Sequence, residues 1–197
     1  FNINTITAFI FKYFFNFISS KTILKLNTMI KVCLADNYPV VHFGIKSYFK
    51  DHSDISIVAN VGNFAMVKDI LLTKEIDVLV LDLELEGLSS IFEIKSVLKN
   101  FPKTKIIFYS GLSEQIYAPN AIKAGVSGFV HKTEKLETLG QSIIKVNQGK
   151  IIMNEAVMKN IALIAKQSKS ERLYRKLSNR EVEVLRYLSD GKKNHEI

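Results

Sequence analysis

The sequence predicts an α/β domain on a five-stranded parallel sheet in the order 2-1-3-4-5, followed by a helical linker and a further capped helix. Three observations predict it. Short runs that are apolar on consecutive residues recur between residues 30 and 131. The segments between them carry apolar residues three and four apart, and an S-x-x-E pattern at Ser178–Glu181 opens a further helix near the end of the chain. Runs without polar alternation are the mark of parallel strands covered by helices on both faces.

The strand candidates, in order, are Ile30–Ala35, Ile55–Asn60, Val78–Leu81, Lys105–Tyr109 and Gly128–His131. Val41, Ile45, Tyr48 and Phe49 make one helical stripe, and Phe64, Val67 and Leu71 a second. Ile91, Ile94, Leu98 and Phe101 make a third, and Leu136, Leu139, Ile143 and Val146 lie on a closing helix. Such stripes are core packing. β–α units of this length imply right-handed crossovers, and for five strands the flavodoxin-like order is the natural choice. In that order the ligand site lies beyond the C-terminal strand ends, where strands 1 and 3 are neighbours.

Composition excludes several classes. In 197 residues, 47% hydrophobic and 23% charged is the balance of a globular domain. A single cysteine, Cys33, excludes an intramolecular disulfide framework and favours a reducing compartment; inside the run Ile30–Ala35 it reads as a buried filler. The net charge of +8 is unevenly placed: residues 29–149 carry 13 Lys/Arg against 13 Asp/Glu, and residues 150–197 carry 11 against 6. A neutral body with a basic end fits a tail that meets a polyanion, and it fits a solvated basic linker equally well.

Residues 1–28 contain no acidic residue, and their apolar stretch Ala8–Ile18 is interrupted by Lys12 and Asn16. That stretch is too short to cross a bilayer and lacks the pattern of a secretory signal. The expectation is a non-native or disordered extension preceding a native start at Met29, in a cytoplasmic protein with no membrane partner.

The chemistry gathers where the fold rule directs. Strand 1 runs into Asp36-Asn37-Tyr38-Pro39 and strand 3 into Asp82, so two carboxylates should converge, a pairing that a hard divalent cation relieves. Strand 4 ends at Tyr109-Ser110-Gly111 and strand 5 at Phe129-Val130-His131-Lys132, bringing a hydroxyl and an ammonium to the same rim. Acid, acid, hydroxyl and lysine are what phosphoryl transfer needs: charge neutralisation, a hydrogen-bond donor and a nucleophilic carboxylate. His131 alternates with Lys132 and should point to the opposite face; His42 and His52, in or near the first helix, read as structural.

With these residues in place, the segment from Met29 to about Lys150 resembles the CheY-like receiver domain of bacterial two-component response regulators. The resemblance implies that Asp82 is phosphorylated by a sensor histidine kinase. It implies a switch pair in Ser110 and Phe129, a phosphate partner in Lys132, and Mg²⁺ held by Asp36, Asn37, Asp82 and the Glu84 carbonyl. It implies a signalling switch, not an enzyme. Three departures bear on reactivity. Asn37 stands where the family usually has a second acid, which predicts weaker Mg²⁺ binding. Leu85-Glu86-Gly87 stands where Met-Pro-Gly is common, which predicts a less rigid loop, and Glu84 and Glu86 should repel an incoming dianion.

Residues 29–150 are thus expected to form the receiver, 151–176 a helical and basic linker, and 177–197 the opening of a second domain. Leu177-Ser178-Asn179-Arg180-Glu181-Val182-Glu183-Val184-Leu185 resembles the first helix of a LuxR-type helix-turn-helix of NarL/FixJ regulators. Val184, Leu185 and Leu188 should form its buried face, Gly191 should stop it, and His195 reads as a helix residue. The recognition helix is missing from residues 177–197, so DNA is expected as a partner of a full-length form only, with homodimerisation on phosphorylation. A receiver without DNA output, acting as phosphate sink or protein-interaction switch, is the alternative. A flavin- or nucleotide-binding enzyme on this fold would need a phosphate loop after strand 1, and Asp36-Asn37-Tyr38-Pro39 is not one.

Overall fold

The computed structural model describes residues 29–155, 157–159 and 178–189. Along the chain run β1 (Ile30–Ala35), α1 (Pro39–Tyr48), β2 (Ile55–Val61), α2 (Phe64–Thr73), β3 (Val78–Leu81) and α3 (Ile91–Asn100). They are followed by β4 (Lys105–Ser110), α4 (Glu114–Ala124), β5 (Gly128–His131), α5 (Leu136–Asn147) and α6 (Asn179–Ser189). The strands form one sheet in the order β2-β1-β3-β4-β5, with every pairing parallel. The expected strands are all present, β2 and β4 each running one residue further.

Local chemistry sets the helix starts. Pro39, with its fixed φ, opens α1. Asn63 accepts the Met66 N–H at 3.0 Å to cap α2. Ser90 and Glu93 form a capping box on α3, the Glu93 carboxylate accepting the N–H groups of Ser89 and Ser90 at 2.7 and 3.3 Å. The expected box on α6 is also present: Ser178 N–H donates to Glu181 at 2.6 Å, and Glu181 N–H to Ser178 Oγ at 3.3 Å.

Two apolar layers sandwich the sheet. Phe64, Val67 and Leu71 of α2, Ile94 and Val97 of α3, and Ala118 and Ala121 of α4 pack on one face. Ile45 of α1 and Leu139, Ile143 and Val146 of α5 pack on the other with Phe49. Cys33 is fully buried, and burial pushes its thiol up to about 12, so it is inert filler. After α5 the chain returns along the outer edge of β5, where Ile152 N–H donates to Ser127 O at 2.9 Å and Phe129 N–H to Ile152 O at 3.1 Å. That backbone shields an otherwise open sheet edge.

The structure corrects the helical reading at one residue and adds one helix to it. Tyr48 is 50% exposed instead of lying in the core stripe; its ring stands edge-on to Phe49 with centroids 5.0 Å apart. And α4, which has no large apolar stripe, is a full helix. Its buried positions are Ala118, Ala121 and Ala124, it tolerates Pro119 in its interior, and it ends on Gly125 at φ +101°. Beyond Lys159 the expected linker helix lies outside the described residues, as do residues 1–28, Gly191 and His195. Among the described residues no helix is long and apolar enough to cross a membrane.

Candidate functional site

The ladder delivers both acids to one rim. Ala35 pairs with Leu81 across β1 and β3, so the next residues, Asp36 and Asp82, leave the sheet side by side. Asp82 N–H donates to Ala35 O at 2.9 Å and Asp36 N–H to Val61 O at 3.1 Å, which holds both in ladder geometry. Their neighbours Leu34 and Val80 belong to the layer of α1 and α5, and by the pleat the two carboxylates lie on that side. Asp36 and Asp82 are 3% and 1% exposed, above a floor that includes Val41, Ile45 and Tyr109.

Lys132, one residue past β5, reaches across to both. Its Nζ lies 2.7 Å from Asp36 Oδ2 and 2.7 Å from Asp82 Oδ2. Burial lowers the lysine pKa, but hydrogen bonds and charge from Asp36 and Asp82 outweigh it, and the net shift is upward. One ammonium against two buried carboxylates leaves one negative charge uncompensated. An all-oxygen pocket of that sign fits a hard divalent cation. Among the described residues no three His, Cys, Asp or Glu side chains cluster as metal ligands, so the fit rests on Asp36, Asp82 and a backbone carbonyl.

Asn37 does something its position did not suggest. Its Nδ2 donates to the Glu84 carbonyl at 2.7 Å and its Oδ1 accepts the Glu86 N–H at 2.8 Å, so the amide bridges the β1–α1 and β3–α3 loops. The Glu84 carbonyl keeps a second lone pair for a cation. The loop after Asp82, expected to be looser without its proline, is pinned here. Phe64 N–H donates to Glu86 O at 2.8 Å, Leu85 is buried, and Gly87 turns at φ +80° with its Cβ position 3.7 Å from Phe64 Cβ. The side chains of Glu84 and Glu86 are exposed.

Around the carboxylates, Tyr38 N–H closes a turn on Asp36 Oδ1 at 2.8 Å, and the Tyr38 ring lies 5.4 Å from Lys132 Nζ. Ser110 is fully buried and its Oγ accepts the Leu112 N–H at 3.4 Å. Phe129 is 3% exposed and meets Phe108 edge to face, centroids 6.3 Å apart. The structure therefore joins Asp36, Asp82 and Lys132 directly, and sets Ser110 one strand and Phe129 two strands from Asp82.

Beside β5, α6 rests on α4. Tyr117 Oη donates to Glu183 Oε2 at 3.0 Å, Arg180 pairs with the same carboxylate at 2.8 Å, and Asn120 bonds Asn179. Glu183 is 6% exposed, so this face of α6 is polar; Val184 is half-buried, and the side chains of Leu185 and Leu188 lie outside the described residues. Burial and the Glu183 contact push the Tyr117 hydroxyl up to about 12.

Residues 32–144 match the family model described as the response regulator receiver domain. The Fimbriae Z protein of Salmonella typhimurium is 31% identical over 166 residues, covering 84% of this chain and 79% of that protein. The response regulator protein VraR of Staphylococcus aureus is 27% identical over 170 residues, covering 85% and 79%. Among solved structures, a LuxR-family two-component response regulator from Aurantimonas sp. superposes with a TM-score of 0.63 at 21% identity, covering 71% of this chain and 100% of that one. The Salmonella typhimurium RcsB response regulator superposes with a TM-score of 0.60 at 25% identity, covering 85% and 79%. With its strand order, its paired rim acids and these matches, the chain belongs to the response regulator receiver family.

Proposed function

We propose that Asp82 is the phosphoacceptor of this receiver, charged by a histidine kinase, and that its state controls a DNA-binding transcriptional output. One observation carries the reading: a buried Asp82 carboxylate whose sole ion-pair partner among the described residues is Lys132, shared with Asp36. Its Oδ2 faces Lys132 and its Oδ1 accepts only the Glu84 N–H at 3.4 Å, which leaves a lone pair to attack. In the transfer, an Asp82 oxygen bonds phosphorus, the phosphorus–nitrogen bond to the kinase imidazole breaks, and its electron pair returns to that ring. Lys132 exchanges a carboxylate oxygen for a phosphoryl oxygen, and Ser110 turns to donate to another.

The residues that would hold Mg²⁺ are Asp36, Asp82 and the Glu84 carbonyl, with Asn37 positioning that carbonyl. When bound, the cation supplies the neutralisation that one lysine leaves incomplete. The chain itself is a switch and not an enzyme that turns over a substrate.

A DNA-binding output is supported by the helix capped by Ser178 and by a structural relative, RcsB, whose dimers have been solved bound to DNA. On that reading the protein homodimerises and meets DNA in the cytoplasm. Acetyl phosphate and Mg²⁺, followed by intact mass, test the acceptor. The wild type should gain one phosphoryl group and Asp82→Asn none; equal gain in both would overturn it.

A further inference from the structure

We infer that His131 is a positioning residue of the switch, a clamp that holds the peptide after Ser110 away from Asp82 until phosphorylation opens it. The inference rests on the reading of Asp82 as acceptor and goes beyond it.

Pleat parity states the problem. Phe108 and Phe129 pair across β4 and β5 and belong to one layer; Tyr109 and Val130 pair and belong to the other. Ser110 and His131 are the next pair, so both side chains project to the layer of α2, α3 and α4. Asp36, Asp82 and Lys132 have the opposite parity. The Ser110 hydroxyl is therefore on the wrong side of its strand to meet a group on Asp82, and bringing it there requires the Ser110–Leu112 backbone to turn.

What resists that turn is explicit. The strand ladder ends with Lys132 N–H donating to Ser110 O at 2.9 Å. The next carbonyl, Gly111 O, lies 3.0 Å from His131 Nε2. On its other side the ring meets Thr133: Nδ1 lies 2.7 Å from Thr133 Oγ1 and 3.3 Å from Thr133 N. A carbonyl only accepts and a backbone N–H only donates, so these contacts pair Nε2 as donor with Gly111 O and Nδ1 as acceptor with Thr133 N–H. Thr133–His131–Gly111 is thus a directed chain. It ties the residue after Lys132 to the residue after Ser110, joining the followers of the two groups that would grip a phosphoryl group.

Gly111 suits the moving end. A Cβ built there meets nothing within 4 Å, so the clamp is the polar contact and not side-chain packing. The same ring borders a cavity of about 580 Å³ whose far wall includes Glu183, Arg186 and Tyr187 of α6. A loop that moves at Gly111 changes the shape of the cavity that it shares with α6.

Two variants of the whole chain decide the matter. His131→Leu removes the donor, whereas His131→Gln keeps an amide N–H of similar reach. In unphosphorylated protein, His131→Leu should raise amide exchange at residues 110–113 by about three- to tenfold, the worth of one hydrogen bond, and leave β1 and β3 unchanged. With acetyl phosphate and Mg²⁺ it should be phosphorylated faster by a similar factor, while His131→Gln tracks the wild type in both. Unchanged exchange in His131→Leu, a phosphorylation rate that does not rise, or His131→Gln behaving like His131→Leu would each overturn the clamp. If the wild type takes no phosphoryl group while exchange rises in His131→Leu alone, the acceptor reading and the switch role fall, and only the loop contact stands. If the wild type is phosphorylated and His131→Leu matches it, the acceptor stands and the clamp falls.

Discussion

The two sides of the sheet are built differently at their C-terminal rim. On the side of α1 and α5, Asp36, Asp82 and Lys132 are locked by charge at 2.7 Å. On the side of α2, α3 and α4, Ser110 and His131 are held by neutral hydrogen bonds of 2.7 to 3.4 Å above the Phe108–Phe129 pair. Charged contacts in a dry pocket are strong and directional; neutral ones are worth about 1 kcal/mol each and exchange readily. The charged side can therefore stay in place to receive a group while the neutral side rearranges around it. On the proposed function, chemistry and signal are divided between the faces of one sheet, and α6 rests on a helix of the side assigned the movement.

The largest effect should come from beneath the neutral side. Phe129→Ala empties a nearly fully buried ring position and should cost about 3 to 4 kcal/mol in urea unfolding, with or without Mg²⁺. Equal recovery by Mg²⁺ would erase the distinction between the faces. Lys132→Ala leaves two buried carboxylates uncompensated and should cost about 2 kcal/mol in metal-free buffer; the ammonium keeps 22% exposure, so the loss falls below that of a fully buried pair. Here Mg²⁺ should restore much of it, because a cation can replace the missing charge.

The same lysine gives a pH test. Its pKa is raised in the folded protein above the ordinary 10.5, so the folded state binds the proton more tightly than the unfolded chain. That contribution is complete below 10.5 and is lost as pH rises through the folded value. Alkaline unfolding titrations of wild type and Lys132→Ala should converge in that window; parallel curves would argue against the triad. The smallest effect is Tyr117→Phe, which removes one donor from the buried Glu183 while Arg180 remains, and should weaken α6 docking by about 1 kcal/mol. Amide exchange in α6 would report it without change at β1.

Much of this was legible in the residues, for identifiable reasons. The strands were readable because burial on both faces demands consecutive apolar residues, as in Val78–Leu81 and Ile106–Phe108. The convergence of Asp36 with Asp82 followed from strand order, which turns sequence position into proximity. Helix α4 left no large apolar stripe to read: its buried positions are Ala118, Ala121 and Ala124, and Pro119 lies in its interior. Tyr48 fits the helical period but stands at the last residue of α1, where the stripe turns out to solvent. The bridge made by Asn37 depends on how a loop 47 residues away is turned, which no local pattern carries. For His131, alternation gave the face but not the partner, because Gly111 is 20 residues upstream and meets it only through strand register.

The most direct measurement of the division between the faces is a structure of the protein with Mg²⁺ and beryllium trifluoride, a stable stand-in for the phosphoryl group. The account predicts beryllium on an Asp82 carboxylate oxygen, Lys132 Nζ still at the rim beside it, Ser110 Oγ turned inward to a fluorine, and the His131–Gly111 contact broken. Beryllium bound elsewhere, or bound at Asp82 with Ser110 and the His131–Gly111 contact unmoved, would contradict it.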